Sequence, residues 1–165
     1  MHGLKKLKLQ PQLVPKPLWE ISARRKFGRS SWQHIRQNAI KAARQSCEIC
    51  GESPNAIYGD PLTCHEVWRY DDNLATATLV GFEIHCPKCD LVTHMGRAMA
   101  HGFGDQALDQ LCRVNGITRL EAKRIYTDAI AFWQKRSAKK WRVKVAKTLL
   151  RRYPQLTKLE TGKTA

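Results

Sequence analysis

Acidic residues are scarce in this sequence. Its 165 residues include 14 Asp and Glu against 29 Lys and Arg, which gives a formal net charge of +15. Such a positive field concentrates polyanions, and nucleic acid is the commonest polyanion in a cytoplasm. The charge alone is also compatible with a solvated soluble surface, a ribosome-associated protein or a protein at a membrane surface.

Long apolar runs are also lacking. No stretch of about 18 apolar residues is present, so the sequence predicts no transmembrane helix. The N-terminal residues MHGLKKLKLQ are basic but contain no continuous apolar core and no small-residue cleavage site, so we do not interpret them as a signal peptide. We therefore expect a cytoplasmic protein without a membrane partner. Its ordinary apolar fraction of 42% predicts a globular fold.

Internal repeats are absent, and the composition divides the chain into four stretches. Residues 1–29 form a basic, proline-containing arm, and residues 30–104 hold a helix followed by a cysteine-containing block. Within that block, two strand-like runs joined by the polar turn at 71–73 predict a β-hairpin. Residues 105–152 are expected to form a basic helical part of the same domain, and residues 153–165 a tail.

Helix boundaries can be predicted at three places. Ser31 is a suitable N-cap for the first helix. A second helix is expected to begin at a capping Asp105 and to end at Gly116, since glycine is the preferred residue just past a helix end. Thr118 and Glu121 have the spacing of a capping box, which predicts the start of a long third helix.

Four of the six cysteines are arranged as two C-x-x-C pairs, CEIC and CPKC. In a reducing compartment, paired spacing indicates a metal site rather than disulfides. Each pair offers two thiolates at the separation that a tetrahedral ion needs, so we predict one structural Zn²⁺. Unligated thiols are the alternative. The predicted ligands are Cys47, Cys50, Cys86 and Cys89. Because a four-cysteine site has no open position, this zinc would stabilise the fold without supplying chemistry.

A second group of metal-ligand residue types lies beside the second pair. Asp90 and His94 are four residues apart, so they share one face of a short helix. His65 belongs to the first strand of the predicted hairpin. Together these three would surround an open metal site, at which a cation binds a phosphate oxygen while a histidine deprotonates the attacking water.

Several short motifs together resemble the HNH endonuclease family, whose core is a ββα-metal finger. The motifs are VPKPLW, SSWQHIR, CEIC, CHEVWRYDD, LVGFEIHCPKC, HMGRA, VNG and AFWQKRS, together with Trp141. They span about residues 14 to 141 and are similar to small HNH-type proteins of bacteria and their mobile elements. The resemblance implies an α+β fold, in which a zinc-stapled ββα-metal core is flanked by N-terminal and C-terminal helices.

The same resemblance implies a metal-dependent endonuclease that hydrolyses phosphodiester bonds of DNA. It assigns His65 as the general base, and His65, Asp90 and His94 as candidate ligands of Mg²⁺ or Mn²⁺. Asp90 stands where the family most often has a histidine, and an oxygen ligand suits these hard cations. Gly81 stands where the family usually has an Asn that orients the base or helps to hold the metal. Glu66 is a further catalytic candidate, although regular strand alternation directs it away from His65.

Each of these residues also has a structural interpretation. His65 would then brace the strand against the helix through a hydrogen bond, and Glu66 would form a salt bridge with Arg69 or Arg97. The corresponding function is that of a catalytically inactive HNH-like zinc protein, which binds nucleic acid or a protein partner. The sequence itself identifies no protein partner.

The basic residues expected to contact DNA are concentrated near the C-terminus. Residues 135–152 contain nine Lys or Arg and no acid. A solvated helix face is the alternative, but the lack of acids for pairing favours phosphate contacts. The candidates for these contacts are Arg97, Lys135, Arg136, Lys139, Lys140, Arg142 and Lys144.

Overall fold

The computed structural model describes residues 7–53 and 61–161. In these ranges the protein has a mixed α+β fold, with helices packed around a small three-stranded sheet. The α-helices are α1 (Ala23–Lys26), α2 (Arg29–Ala42), α3 (Pro87–Thr93), α4 (Met95–Ala100), α5 (Gly104–Asn115), α6 (Arg119–Ser137) and α7 (Lys147–Arg152). The strands are β1 (Thr63–Asp71), β2 (Thr76–His85) and β3 (Arg142–Val145), and 3-10 helices cover Lys16–Leu18 and Pro154–Leu159. The α+β class is thereby confirmed.

The predicted hairpin is confirmed. Strands β1 and β2 pair antiparallel, with the turn at residues 72–75. Val67 lies opposite Gly81, whereas the next residue, Trp68, lies opposite Leu79, so Val80 is an extra residue on β2. Such a bulge strengthens the local twist of the hairpin.

Strand β3 was not predicted, and the helical assignment of the whole stretch 105–152 is wrong at this point. β3 runs parallel to β2 and completes the sheet in the order β1-β2-β3. Its side chains alternate, with Val143 and Val145 buried and Arg142 and Lys144 exposed. This alternation with a period of two is typical of a strand, but it extends over four residues only and lies inside a strongly basic run.

The predicted helix ends are confirmed in part. Thr118 accepts a hydrogen bond from the Glu121 backbone, and Glu121 reciprocates, so the capping box is present. Gly116 ends α5 with a left-handed φ of 62°. The prediction for Ser31 is wrong, because α2 already begins at Arg29. Asp105 lies inside the first turn of α5, where its charge favours the helix dipole without capping it.

Two hydrophobic cores lie at different ends of the hairpin, the first near Cys64 and Ile84 and the second near Trp68 and Leu79. The first core is built around Ile84, Val92, Met95 and Leu111, between the end of β2 and helices α3 to α5. The second core is built from apolar side chains of α2, the sheet and the last 3-10 helix. They include Ile35, Leu79, Val143, Leu156 and Leu159. The C-terminal segment therefore belongs to the fold: residues 153–161 pack into this core, while the rest of the predicted tail lies outside the described residues.

The N-terminal arm is fixed against the first core. The Leu9 backbone N–H donates to the Asn115 side chain at 3.3 Å, and Asn115 donates back to the Leu9 carbonyl at 2.8 Å. Further along, the Gln12 N–H donates to the Thr93 carbonyl at 2.9 Å, and the carbonyl of Val14 accepts from a tryptophan of α6. The arm consequently crosses the end of α3, close to the candidate histidines.

Among the described residues, none of the helices has both the length and the apolar character needed to cross a membrane.

Candidate functional site

The four cysteines of the two C-x-x-C pairs come together in one cluster. Their sulfur atoms all lie within 4.8 Å of one another, and Cys50 Sγ lies 3.7 Å from Cys86 Sγ. Four sulfurs at about 2.3 Å from a tetrahedral zinc ion would be about 3.8 Å apart, so the observed spacing fits. The cluster is placed to hold a metal ion such as zinc, with Cys47, Cys86 and Cys89 buried.

Local backbone geometry shapes each half of the cluster. In the first pair, the Gly51 N–H donates to the Cys47 carbonyl at 2.9 Å, and the Cys47 N–H donates to the Glu52 carbonyl at 2.9 Å. Gly51 has a φ of +78°, a left-handed conformation that glycine adopts without strain. In the second pair, Cys86 directly precedes α3, so the helix itself positions Cys89.

Two side chains that sequence patterns did not single out support the cluster. The Glu48 backbone N–H donates to the Ile84 carbonyl at 2.8 Å, and the Glu48 carboxylate accepts from the Ile84 N–H at 2.7 Å. These bonds join the first pair to the end of β2. The buried amide of Gln110 donates to Cys89 Sγ at 3.1 Å, as an outer-shell group does for a metal-bound thiolate.

The thiols are electrostatically coupled. Hydrogen bonds from Cys86 and Cys89 lower the pKa of Cys47 far below its usual range. The same interaction with Cys47 raises the pKa of Cys86 to about 11 and also raises the pKa of Cys89. Thiols this close together interact strongly, and a metal ion bound among them would replace their protons.

His65 lies on β1 and is almost fully buried, with 7% of its surface exposed. Its Nε2 lies 3.1 Å from Gln12 Oε1, which accepts the ring proton. The ring stacks on His85, with centroids 5.2 Å apart, and meets the His94 ring edge-on at 5.1 Å. Burial, with smaller contributions from His94 and His85, lowers the pKa of His65 to about 3, so this imidazole is neutral near pH 7.

Asp90 and His94 face each other across one helical turn, as their spacing predicts. His94 Nε2 lies 3.7 Å from Asp90 Oδ1. Asp90 Oδ1 also accepts from the Thr63 hydroxyl at 3.0 Å, and Asp90 Oδ2 accepts from Arg97 at 3.2 Å. Burial lowers the pKa of His94, while the charge of Asp90 opposes that shift.

The structure thus brings His65, Asp90 and His94 into one group but not to one point. In the described parts of the chain, the four cysteines are the group with at least three His, Cys, Asp or Glu ligand atoms within 4.8 Å of one another. Among the three, the closest approach is between Asp90 Oδ1 and His94 Nε2, at 3.7 Å.

Glu66 is turned away from that group. Its carboxylate accepts from the Ala23 N–H at 2.6 Å and from the Trp68 indole at 3.2 Å, and burial raises its pKa. It therefore ties β1 to the first turn of α1, and its contacts include neither of the arginines with which we expected a salt bridge. The neighbouring Cys64 points into the first core, where burial raises its pKa to about 12.

Gly81 leaves the position of the expected asparagine without a side chain, and a Cβ built there meets nothing within 4 Å. The side-chain amide that contacts His65 comes instead from Gln12. Sequence reasoning missed Gln12, because it lies 53 residues from His65 along the chain and no local pattern connects them.

The predicted phosphate-binding residues divide into two groups. Arg136 makes a two-pronged ion pair with Asp72, at 3.0 Å and 2.7 Å, and its guanidinium lies over the Tyr70 ring. Lys139 donates to the Asp72 carbonyl at 2.6 Å. These two cations are used inside the protein. The others in the C-terminal stretch are exposed, namely Lys135, Lys140, Arg142 and Lys144.

A groove of about 1310 Å³ opens beside the histidines. His65, His94 and Arg97 line it, together with four arginines of the N-terminal helices. Those four are Arg24, Arg25, Arg29 and Arg36. They were not predicted as binding residues, although the basic segment SARRKFGRSSWQHIR carries the signal.

Comparisons with protein-family models, with curated proteins and with solved structures found no match for this chain.

Proposed function

We propose that the protein is a zinc-stabilised HNH-type endonuclease that hydrolyses DNA phosphodiester bonds with a second divalent cation. One observation carries this proposal: His65 and His94 line a groove that also contains five arginines, and Asp90 lies behind that lining, paired with His94 and Arg97. The arginines supply the positive field that a phosphate backbone requires. The histidines and the carboxylate supply the residue types that phosphodiester hydrolysis requires.

The cysteine cluster has a positional role in this proposal. Cys86 directly precedes α3 and Cys89 directly precedes Asp90, so a zinc ion at the cluster would fix the start of the helix relative to β2. Thr63 then holds the Asp90 carboxylate from the adjacent strand. In this way a closed structural site orients the residues of an open one.

A bound Mg²⁺ or Mn²⁺ would polarise the scissile phosphate and stabilise the leaving oxygen. Asp90 and His94 are the residues that would hold it. Arg97, 63% exposed and already bonded to Asp90, can reach a neighbouring phosphate oxygen. His65 accepts the proton of the attacking water at Nδ1, because its Nε2–H is engaged by Gln12.

A second candidate function is a module that binds nucleic acid without cutting it. It is favoured by the engagement of the candidate catalytic atoms: both Asp90 oxygens have partners in Thr63 and Arg97, and His65 Nε2 has one in Gln12. The groove and its arginines would serve such a module equally well.

Nicking of supercoiled plasmid separates the two functions. Purified zinc-loaded protein is incubated with added Mg²⁺, Mn²⁺ or Ni²⁺ beside His65→Ala. His34→Ala is the matched control, since His34 is an exposed histidine of α2 outside the groove. The nuclease requires metal-dependent nicking that His65→Ala loses and His34→Ala keeps. Binding of plasmid without nicking under any of the three metals would instead establish the non-cutting module.

A further inference from the structure

The groove also contains an aromatic ring that the proposed chemistry does not use. Trp19 follows the first 3-10 helix, lines the groove and is 54% exposed. Its indole N–H donates to the Val14 carbonyl at 2.8 Å. The polar edge of the ring is therefore occupied and its orientation is fixed, so the part of the ring that solvent reaches is mainly apolar.

Cations without an internal role lie on the same groove. Arg25 is paired with Glu20, and Arg36 donates to the Leu62 carbonyl at 2.9 Å. The exposed side chains of Arg24 and Arg29, by contrast, form no hydrogen bond or ion pair with the described part of the chain. These two guanidinium groups are available to an external anion.

The charge of the groove selects the class of occupant. Its lining includes five arginines and two glutamates. One glutamate is bonded to the start of α1 and the other is paired with an arginine. An acidic partner with planar apolar surfaces matches both the cations and the exposed ring, and nucleic acid has both properties.

We propose that this groove binds single-stranded nucleic acid, with a base stacked on Trp19 and adjacent phosphates bound by Arg24 and Arg29. In a duplex the faces of the bases are covered by their neighbours, so a fixed ring beside free cations favours unpaired bases. The inference rests on the proposed nucleic-acid function of the groove and adds the strand state of the substrate. A strand held in this way passes His65 and His94, because these histidines line the same groove as Trp19, Arg24 and Arg29.

The test measures binding rather than cleavage. Zinc-loaded protein without any added divalent cation is titrated with a labelled oligothymidine of about 12 nucleotides, within the ~4–16 nucleotides typical of single-strand sites. A duplex of equal length is titrated in parallel. We expect the single strand to bind more tightly, and we expect Trp19→Ala to weaken that binding by about 5- to 150-fold.

Matched variants keep the test informative. Trp19→Phe is expected to retain most of the affinity, because phenylalanine also stacks, and to lose the quenching of tryptophan fluorescence that the single strand causes. Arg24→Ala and Arg29→Ala should each reduce the salt slope of binding by about 1. Phe103→Ala is the control, since Phe103 is 47% exposed and lies outside the groove lining.

Three results would overturn the inference. Preferential binding of the duplex, with unchanged affinity in Trp19→Ala, would exclude the stacking role while leaving the nuclease proposal to the plasmid assay. Absence of binding to either oligonucleotide would also exclude it, and metal-dependent nicking would then show whether the nuclease proposal survives separately. If Trp19→Ala does not fold, equal fluorescence quenching in wild type and Trp19→Phe excludes the stacking role.

Discussion

The four-cysteine cluster and the group of His65, Asp90 and His94 are neighbours, but their potential ligand atoms converge to different extents. Cys89 and Asp90 are adjacent residues, and both groups lie between the hairpin and α3. In the cluster, four ligand atoms converge within 4.8 Å. In the second group, one pair of atoms approaches to 3.7 Å, while His65 is bonded to Gln12.

The two groups also differ in their exposure to solvent. The cysteines are enclosed by the first core, so an unpaired thiolate there would carry a large desolvation cost. His94 keeps 36% of its side chain exposed, which allows it to turn toward a ligand at little cost. The closed site should therefore control stability, and the open site should control chemistry.

Removing one cysteine ligand should give the largest effect. In Cys86→Ser we expect loss of bound zinc and of the cooperative unfolding transition, because structural zinc contributes about 10–16 kcal/mol in small zinc domains. This is as large as the ~5–15 kcal/mol by which whole domains are commonly stable. Zinc content and thermal unfolding followed by circular dichroism measure the outcome.

Cys112→Ser is the matched control for that experiment. Cys112 packs against the first core without belonging to the cluster, so this variant should retain its zinc. A Cys86→Ser protein that still carries one zinc per chain and melts like the wild type would contradict the assignment of the cluster.

Removing a residue of the open group should leave the fold intact and change metal affinity. We expect His94→Ala to weaken Mn²⁺ binding by about 100-fold or more, because loss of an outer-shell partner alone costs about 10–100-fold. Electron paramagnetic resonance of free Mn²⁺ measures this, with zinc content as the check on the fold. His101→Ala, an exposed histidine at the end of α4, should bind Mn²⁺ as the wild type does; equal binding by His94→Ala would remove His94 from the site.

Gln12 should affect the open group through the orientation of His65. We expect Gln12→Ala to lower kcat for plasmid nicking by about 10–100-fold, with a smaller change in KM, because Gln12 orients the His65 ring although it also lines the groove. Nitrogen NMR of His65 provides a separate readout, since loss of the acceptor should shift the tautomer population away from the Nε2–H form. The exposed Gln10 of the same arm provides the control variant Gln10→Ala. A wild-type tautomer and kcat in Gln12→Ala would show that Gln12 only packs there.

Features that depend on residues close together in the chain were predictable from the sequence. Contacts between distant segments were not. The two C-x-x-C pairs and the hairpin were predictable, because knuckle and turn geometry depend on residues that are close in the chain. The contact between Gln12 and His65 depends on the docking of the arm, which no periodicity reveals. Strand β3 was missed because Val143 and Val145 alone carry the alternation inside a run of cations.

The basic C-terminal stretch shows the same limit for charge. Residues 135–152 contain no acid, so sequence alone favoured free cations. The fold supplies an acid from the hairpin turn, where Asp72 pairs with Arg136 and lies beside Lys139. Counting charges along a segment cannot identify partners that arrive from another segment.

Breaking that hairpin-turn contact should give the smallest effect. Hydrogen bonds from Arg136 lower the pKa of Asp72, but the side chain is 40% exposed, so the pair contributes about 0–1 kcal/mol. Because the folded-state pKa is depressed, this contribution is present above the unfolded pKa of about 3.9 and is lost as the pH falls through the folded value. Urea unfolding should therefore show Asp72→Asn slightly less stable than wild type at neutral pH and equally stable in acid.

The salt dependence of nucleic-acid binding by the Asp72→Asn variant tests whether the C-terminal cations bind nucleic acid in addition to the groove arginines. Asp72→Asn removes the carboxylate that pairs with Arg136, whereas the bond from Lys139 to the backbone carbonyl at this position remains. A released Arg136 that gains a phosphate contact steepens the salt dependence of binding by about 1. Asp128→Asn, at an exposed acid of α6, removes the same charge without releasing Arg136 and should change the slope less. An identical slope in both variants would mean that the C-terminal cations lie off the path of the nucleic acid, leaving the groove arginines to bind it.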